Sequence, residues 1–462
     1  MKDYSPNALS MLTEFFTSDT IEQTARRTGF VRRKSKITGK TFLALVTFGL
    51  WSNAKTTLSQ LAAKMGQFGA HQVVSAEAIH QRMNKRATAF LEDLMQQALA
   101  KIQDLDYPCD DGVFTFFSKV YIADSTGFGL PKCLAKLFPG SGGSASPAGA
   151  KIQLVWEYQQ SLLAHFALTP LNLPDQKYVN QVVALAQRGG LFIFDLGYFT
   201  INAFALISQA GAYFLSRLNH QTNLYDGTTP GRAPLDLVQM LKETPFDIME
   251  KAIFIGEKER VASRLIAVRL PDEIVNERRR VARKTAKKKG YTPTEAHLFL
   301  LAWNLFITNV PDEVWTPKTV VRAYPIRWQI ELIFKSWKSH CHLAAINGKK
   351  KETVLCYLYG RMLLVLFTYA LYPQVRSVLW AKKHRELSLL KFVRHFQALA
   401  ESWMSAIFKS ELALRRFLQT ACDAAERLAA KASRKRCTSA QTLRESVSQP
   451  SEPIDVAATA SA

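Results

Sequence analysis

The chain has 462 residues, 48% of them hydrophobic, which is enough for about two to four folded domains and excludes a disordered protein. Its 60 lysines and arginines oppose 38 aspartates and glutamates, and the net charge of +22 indicates a polyanionic partner, nucleic acid first and an anionic membrane surface second. The longest apolar runs are too short to span a bilayer, and the start lacks a secretory signal. Six scattered cysteines form no CxxC pair, so we expect a reducing, cytoplasmic setting without disulfides or structural zinc.

The first hundred or so residues are predicted to be helical. Thr57–Gln67 and Ser75–Arg86 predict two helices joined by a polar, glycine-containing turn, a pattern similar to a helix-turn-helix. Arg82, Lys85 and Arg86 lie on the second helix, where basic side chains can neutralise DNA phosphates. An ordinary basic surface helix explains the same residues equally well, and both interpretations stay open.

From Phe114 onward the pattern changes to strands. The order is three strands, a helix, then strand, helix and strand, which is the element order of an RNase H-like domain. These elements are predicted at Val120–Ala123, Lys151–Tyr158, Leu163–Thr169, Asp175–Arg188, Leu191–Phe194, Ile201–Gln209 and Ala212–Arg217.

Two aspartates share a setting in this series. Asp124 and Asp195 each close an apolar strand and are followed at once by turn residues. Ligand-binding groups gather at the carboxyl ends of strands in open α/β sheets, so we expect both carboxylates at one edge. Either residue taken alone is better explained as an ordinary turn aspartate, and it is the matching position of the two that favours a shared site.

Residues 219–297 exceed what such a domain needs and predict a β-rich insertion. The segment Glu277–Lys289 is dense in arginine and lysine, as in a flexible solvated arm or, on a chain that holds DNA, a clamp on the backbone. His297–Asn309 then predicts a strand that returns to the core. It contains Trp303, for which a place in the core is favoured over a role in stacking on a base.

A helix is predicted from Pro325 onward, because proline suits a first helical position. Tyr324, Arg327, Glu331 and Lys338 fall together on one face of it, away from an apolar stripe. Arg327 and Glu331 could be an ordinary stabilising i,i+4 pair. The spacing Tyr-x2-Arg-x3-Glu-x6-Lys, however, resembles the signature of the insertion sequence 4 family of DDE transposases.

This resemblance implies roles for the residues named above. Asp124, Asp195 and Glu331 would be the three catalytic carboxylates and would hold two Mg²⁺ ions, with Mn²⁺ as a substitute. Tyr324, Arg327 and Lys338 would hold DNA phosphates, and Trp303 would take the place of a flipped base. The implied partners are double-stranded DNA at the element ends and in the target, and a second copy of the chain on the DNA, without a membrane.

The expected fold class is therefore α/β, an RNase H-like catalytic domain with a β-rich insertion, flanked by all-α regions. The expected boundaries are 1–112 (helical, DNA-binding), 113–218 and 298–372 (catalytic), 219–297 (insertion), 373–437 (helical) and 438–462 (disordered tail). The expected function is a transposase that cuts the ends of an insertion sequence and joins them to target DNA. A catalytically inactive repressor of the element and a nuclease without strand transfer are the alternatives.

Overall fold

The computed structural model describes residues 7–51, 53, 55–68, 74–107, 112–142, 146–229 and 232–432. The predicted tail 438–462 and the turn at 69–73 lie outside these ranges. Within them the protein is of the mixed α/β class, as predicted, with one large mixed sheet and helices on both of its faces.

Helices precede the sheet. Those in the described part of the chain are α1 (Asn7–Thr17), α2 (Thr20–Arg27), α3 (Gly39–Val46), α4 (Leu58–Phe68), α5 (Ala76–Arg82) and α6 (Lys85–Gln103). The predicted single helix Ser75–Arg86 is wrong. Asn84 is extended, and its side chain accepts hydrogen bonds from the backbone N–H groups of Arg86 and Ala87, so it caps α6 and separates it from α5.

The sheet has nine strands in the described residues, in the spatial order β3-β2-β1-β4-β5-β9-β8-β7-β6. They are β1 (Lys119–Leu130), β2 (Ala148–Glu157), β3 (Leu162–Pro170), β4 (Gly190–Phe194), β5 (Tyr213–Arg217), β6 (Leu224–Tyr225), β7 (Ile248–Ile255), β8 (Val261–Arg269) and β9 (Trp303–Thr308). Strands β1, β4 and β5 are parallel, and the other pairings are antiparallel. Every residue of β4 is buried, as expected for a central parallel strand covered on both faces.

Further helices cover the sheet. They are α7 (Asp175–Val183), α8 (Ile201–Gln209), α9 (Leu237–Glu243), α10 (Asp272–Lys289), α11 (Glu295–Leu300), α12 (Pro317–Ala323), α13 (Gln329–His340), α14 (Lys351–Lys383), α15 (Leu389–Ala398), α16 (Ala400–Lys409) and α17 (Glu411–Leu428). Alternate residues of β1 serve two cores: Tyr121 and Ala123 pack with the α7 and α8 side chains, whereas Val120 and Ile122 pack with those of α13 and α14.

Helix α14 is the one helix in the described ranges that is long and apolar enough to cross a membrane, and nearly all of its apolar stretch is buried inside the protein. It packs closely against α6 and α3. At Gly360 a side chain would collide with the backbone oxygen of Val46, 2.4 Å from the place of a Cβ. The helix therefore acts as the central support of the surrounding helices.

The predicted β-rich segment does not form a separate sheet. Strand β8 pairs with β9 from Arg264 opposite Thr308 to Arg269 opposite Trp303, so β6 to β8 extend the sheet that begins with β3. The basic segment is not an irregular arm either, because it forms most of α10, which ends at Gly290 in the left-handed conformation typical of a helix C-terminus.

The predicted helix over the signature segment begins later than expected. Tyr324–Trp328 forms a 3-10 turn between α12 and α13, and the α-helix starts only at Gln329. Pro325 has no N–H to donate to the preceding turn and its ring crowds the carbonyl four residues back, which favours the tighter turn here.

Candidate active site

Asp124 and Asp195 lie side by side on adjacent parallel strands. Ile122 of β1 is opposite Ile193 of β4, and two residues further along the two chains bring Asp124 and Asp195 level, on the same face as those isoleucines. The expectation that Asp124 closes its strand is wrong, because β1 continues to Leu130 by pairing with β2. Asp195 directly follows β4, and its carboxylate accepts hydrogen bonds from the N–H groups of Gly197 (2.8 Å) and Tyr198 (3.3 Å).

The proximity of the two aspartates is visible in their electrostatics. Burial, and after it the charge of Asp195, raises the pKa of Asp124 to about 7. Burial also raises the pKa of Asp195, against the opposing influence of Arg327. Both carboxyl groups are therefore placed where their charged forms need a nearby cation.

Arg327 supplies positive charge between Asp124 and Glu331 of α13. Its Nη1 lies 3.3 Å from Asp124 Oδ2, and its Nη2 lies 3.4 Å from Glu331 Oε1. The side chain of Arg327 is only 9% exposed. The structure thus brings Asp124 and Asp195 to the Arg327–Glu331 pair, which lies far from both aspartates in the sequence.

Carboxylate oxygens are the ligands that Mg²⁺ and Mn²⁺ prefer, so the donor set fits a divalent cation. Among the residues that the structure describes, however, no three His, Cys, Asp or Glu side chains are close enough together to hold a metal ion. The guanidinium of Arg327 lies between Asp124 and Glu331. Any ion that bridges these carboxylates must replace it.

A series of hydrogen bonds supports the turn that holds Asp195. Tyr198, whose N–H bonds the Asp195 carboxylate, donates its hydroxyl to Gln153 Oε1 at 2.5 Å. Gln153 in turn donates to Asp175 at 3.1 Å, and Lys151 Nζ lies 2.9 Å from the same Asp175 oxygen. Sequence reasoning missed Gln153, Asp175 and Lys151, since nothing in their spacing links them to Asp195.

The aromatic residues near the site differ in exposure, and Trp303 takes the core position that the sequence favours. Trp303 is 4% exposed on β9 with the Arg269 guanidinium 5.0 Å from its ring, so it is a core residue that is not presented to a base. Tyr324 is 2% exposed and packs on Phe306. By contrast Trp328, which follows Arg327 directly and was not singled out from the sequence, is 45% exposed.

The remaining predicted residues lie elsewhere. Lys338 is half-buried on α13, about two turns beyond Glu331, and burial lowers its pKa. Arg82 stacks on Phe30 at 4.3 Å and donates to the Ile37 carbonyl, so it fastens a loop to α5. Lys85 and Arg86 are exposed in the first turn of α6.

Paired carboxylates beside a mixed sheet, a third on an adjoining helix and a net charge of +22 are the features expected of an enzyme of DNA phosphoryl transfer. Residues 115–367 match the family described as "Transposase DDE domain". The chain belongs to this family and is a transposase. The alternatives of an inactive repressor and a cutting-only nuclease are not favoured.

Relatives agree with this membership. The chain is 30% identical over 407 residues to the transposase for insertion sequence element IS231B of Bacillus thuringiensis subsp. berliner. The aligned region covers 84% of each protein. It is 30% identical over 430 residues to the transposase for insertion sequence element IS1151 of Clostridium perfringens, with 88% of this chain and 89% of the relative covered. The piggyBac transposase synaptic complex with hairpin DNA aligns at a TM-score of 0.47 and 11% identity, over 91% of this chain and 85% of the other, a likeness too loose to support an argument.

Proposed function

We propose that Asp124, Asp195 and Glu331 together hold two Mg²⁺ ions, replaceable by Mn²⁺, and that this site cuts the ends of an insertion sequence and joins them to target DNA. The observation that carries the proposal is the level placement of Asp124 and Asp195 on β1 and β4, with Glu331 linked to Asp124 through Arg327. The Tyr-Arg-Glu-Lys spacing supports assignment to the insertion sequence 4 family.

The proposed catalytic domain comprises 113–218 and 298–372, with 219–297 as an insertion. The strand order β3-β2-β1-β4-β5, with β1 to β3 antiparallel and β4 and β5 parallel to β1, supports an RNase H-like core. The proposed flanking helical regions are 1–112, for DNA binding, and 373–437. The enzyme would act as a homodimer on DNA, which the family resemblance implies, and in the cytoplasm, which the scattered cysteines favour.

Asp124, Asp195 and Glu331 would hold the ions through their carboxylate oxygens. Bound divalent ions lower the pKa of an attacking hydroxyl and stabilise the leaving oxygen of an in-line displacement. The turn that holds Asp195 fixes the direction of its carboxylate before any substrate arrives.

DNA is held by groups around the carboxylates. We assign phosphate contacts to Arg327 and Lys338, with Tyr324 supporting Arg327 from its buried position. We assign to the exposed indole of Trp328 the base-stacking role that the family resemblance implied for Trp303. Lys85 and Arg86, exposed at the start of α6, are further phosphate contacts, and Arg82 is a structural residue.

The test is cleavage of linear DNA that carries the inverted repeats flanking the coding sequence, in the presence of Mg²⁺. Asp124→Asn, Asp195→Asn and Glu331→Gln should each reduce the rate by at least ~10³-fold, because several kcal/mol of transition-state stabilisation is lost. Binding of the repeats should persist. Asp226→Asn, an exposed aspartate paired with Arg232, is the matched control and should cut normally. Full activity in any of the three variants would exclude the proposed site.

A further inference from the structure

One side chain in the site occupies two of the three carboxylates at once. Arg327 places one guanidinium nitrogen against Asp124 and another against Glu331, at 3.3 and 3.4 Å. The negative charge of Asp195 also acts on this guanidinium. A permanently charged, planar group with two outward-facing donors is well matched to a pair of carboxylates.

A divalent cation needs the same oxygens in a different geometry. Mg²⁺ takes oxygen ligands at about 2.0–2.1 Å in a near-octahedral arrangement, which leaves no room for a guanidinium between them. Two positive groups on one pair of carboxylates would also repel each other strongly in a poorly hydrated site. Arg327 and a bridging ion are therefore alternatives.

A DNA phosphate offers Arg327 a replacement partner. Guanidinium and phosphate form bidentate, charge-assisted hydrogen bonds of the same kind as those made with a carboxylate. Arg327 lies in the 3-10 turn Tyr324–Trp328, directly before the exposed Trp328, so the turn that carries it reaches the surface although the Arg327 side chain itself is only 9% exposed. The short turn holds its residues by fewer regular hydrogen bonds than an α-helix does.

We propose that Arg327 is an autoinhibitory contact that keeps divalent ions out of the site until DNA is bound. Incoming phosphate draws the guanidinium away from Asp124 and Glu331, and the released carboxylates then accept the ions. This inference rests on the proposed metal site and adds its regulation. By linkage, DNA must tighten metal binding by the same factor by which metal tightens DNA binding.

The experiment measures Mn²⁺ binding to the full chain from the electron paramagnetic resonance signal of the free ion, with and without a 20-base-pair duplex of arbitrary sequence. In the wild type we expect the duplex to tighten Mn²⁺ binding by about tenfold, within the usual range of coupling between two ligands. Arg327→Gln should bind Mn²⁺ about tenfold more tightly than wild type without DNA, and the duplex should add little. The binding assay reports the contact independently of cleavage.

Two further variants make the result specific. Arg322→Gln removes a cation five residues earlier, where no carboxylate of the site is contacted, and should leave Mn²⁺ affinity near the wild-type value. Arg327→Lys keeps the charge but cannot bridge both carboxylates, so it should shift Mn²⁺ affinity in the same direction as Arg327→Gln. It replaces that variant if a thermal melt shows Arg327→Gln to be unfolded.

The outcomes separate this inference from the metal site itself. Unchanged or weaker Mn²⁺ binding in both Arg327 variants, with binding abolished by Asp124→Asn, would overturn the inference and leave the proposed site intact. Mn²⁺ binding that survives Asp124→Asn undiminished would instead overturn the proposed site.

Discussion

The two halves of the sheet differ in how far their charged side chains are exposed to water. At the junction of β1 and β4, Asp124 and Arg327 are largely withdrawn from water and partner each other. On the insertion side, α10 presents Arg283, Lys284 and Lys287 to solvent. Buried charges are costly unless each is paired, whereas exposed cations cost little and act through their summed field.

The buried charges are therefore suited to catalysis, whereas the exposed cations are suited to attracting DNA. At the buried site the removal of one group leaves its partner uncompensated, so single substitutions should have large and non-additive effects. On α10 the cations should act nearly independently, each through one phosphate. Two of its arginines do something else: Arg278 donates to Asn304 of β9 and Arg279 to the Leu298 carbonyl, and they attach the helix to the sheet.

The largest effect after that of the carboxylates is expected in the network behind Asp195. Tyr198→Phe removes the hydroxyl that Gln153 holds and frees the turn that orients Asp195. Because groups that orient metal ligands are worth about 10–100-fold in affinity, we expect Mn²⁺ binding in the DNA complex to weaken by about tenfold. Tyr178→Phe is the control, since it loses a comparable hydrogen bond, to His165, away from the site. Equal losses in both variants would reduce Tyr198 to a general packing role.

A smaller effect is expected at the rim of the site. Trp328→Ala removes an exposed indole, and base–aromatic stacking is worth about 1–3 kcal/mol, so affinity for DNA ends with unpaired bases should fall by at least about fivefold. Affinity for intact duplex should change less. The exposed ring of Phe246, outside the site, gives the control Phe246→Ala. An equal loss for both DNA forms would remove the stacking role.

The smallest effects of single substitutions are expected on α10. They test whether its exposed cations contribute independently to DNA binding. Lys284→Gln, Lys287→Gln and Lys288→Gln should each weaken duplex binding about two- to threefold and lower the slope of log affinity against log salt by about 1. Filter binding over a salt series measures both quantities. Lys409→Gln, exposed at the end of α16, should change neither. A salt slope that stays at the wild-type value would remove α10 from the DNA interface.

What the sequence predicted follows from local periodicity. The helix over Ile201–Gln209 is α8 residue for residue, and the apolar run at Leu191 gives β4. The spacing of four between Arg327 and Glu331 predicts their contact, which forms even though Arg327 lies in the 3-10 turn before α13. Each of these patterns involves only a few neighbouring residues, so it can be recognised without knowing the rest of the fold.

What the sequence did not predict depends on distant partners. Asp124 lies inside a strand rather than at its end because β2 continues to pair with β1 beyond it, which no local pattern reveals. The exposure of Trp328 was not predicted either, because a large apolar side chain is usually buried and only tertiary packing leaves this one in solvent. The contact of Arg327 with Asp124 spans 203 residues of sequence.

The most direct test of the central claim is a structure of the full chain with DNA ends and Mn²⁺, in which anomalous scattering locates the metal. We expect Mn²⁺ bound jointly by Asp124, Asp195 and Glu331, with the Arg327 guanidinium moved onto a phosphate. Mn²⁺ bound away from these three carboxylates, with Arg327 still joining Asp124 to Glu331, would contradict it.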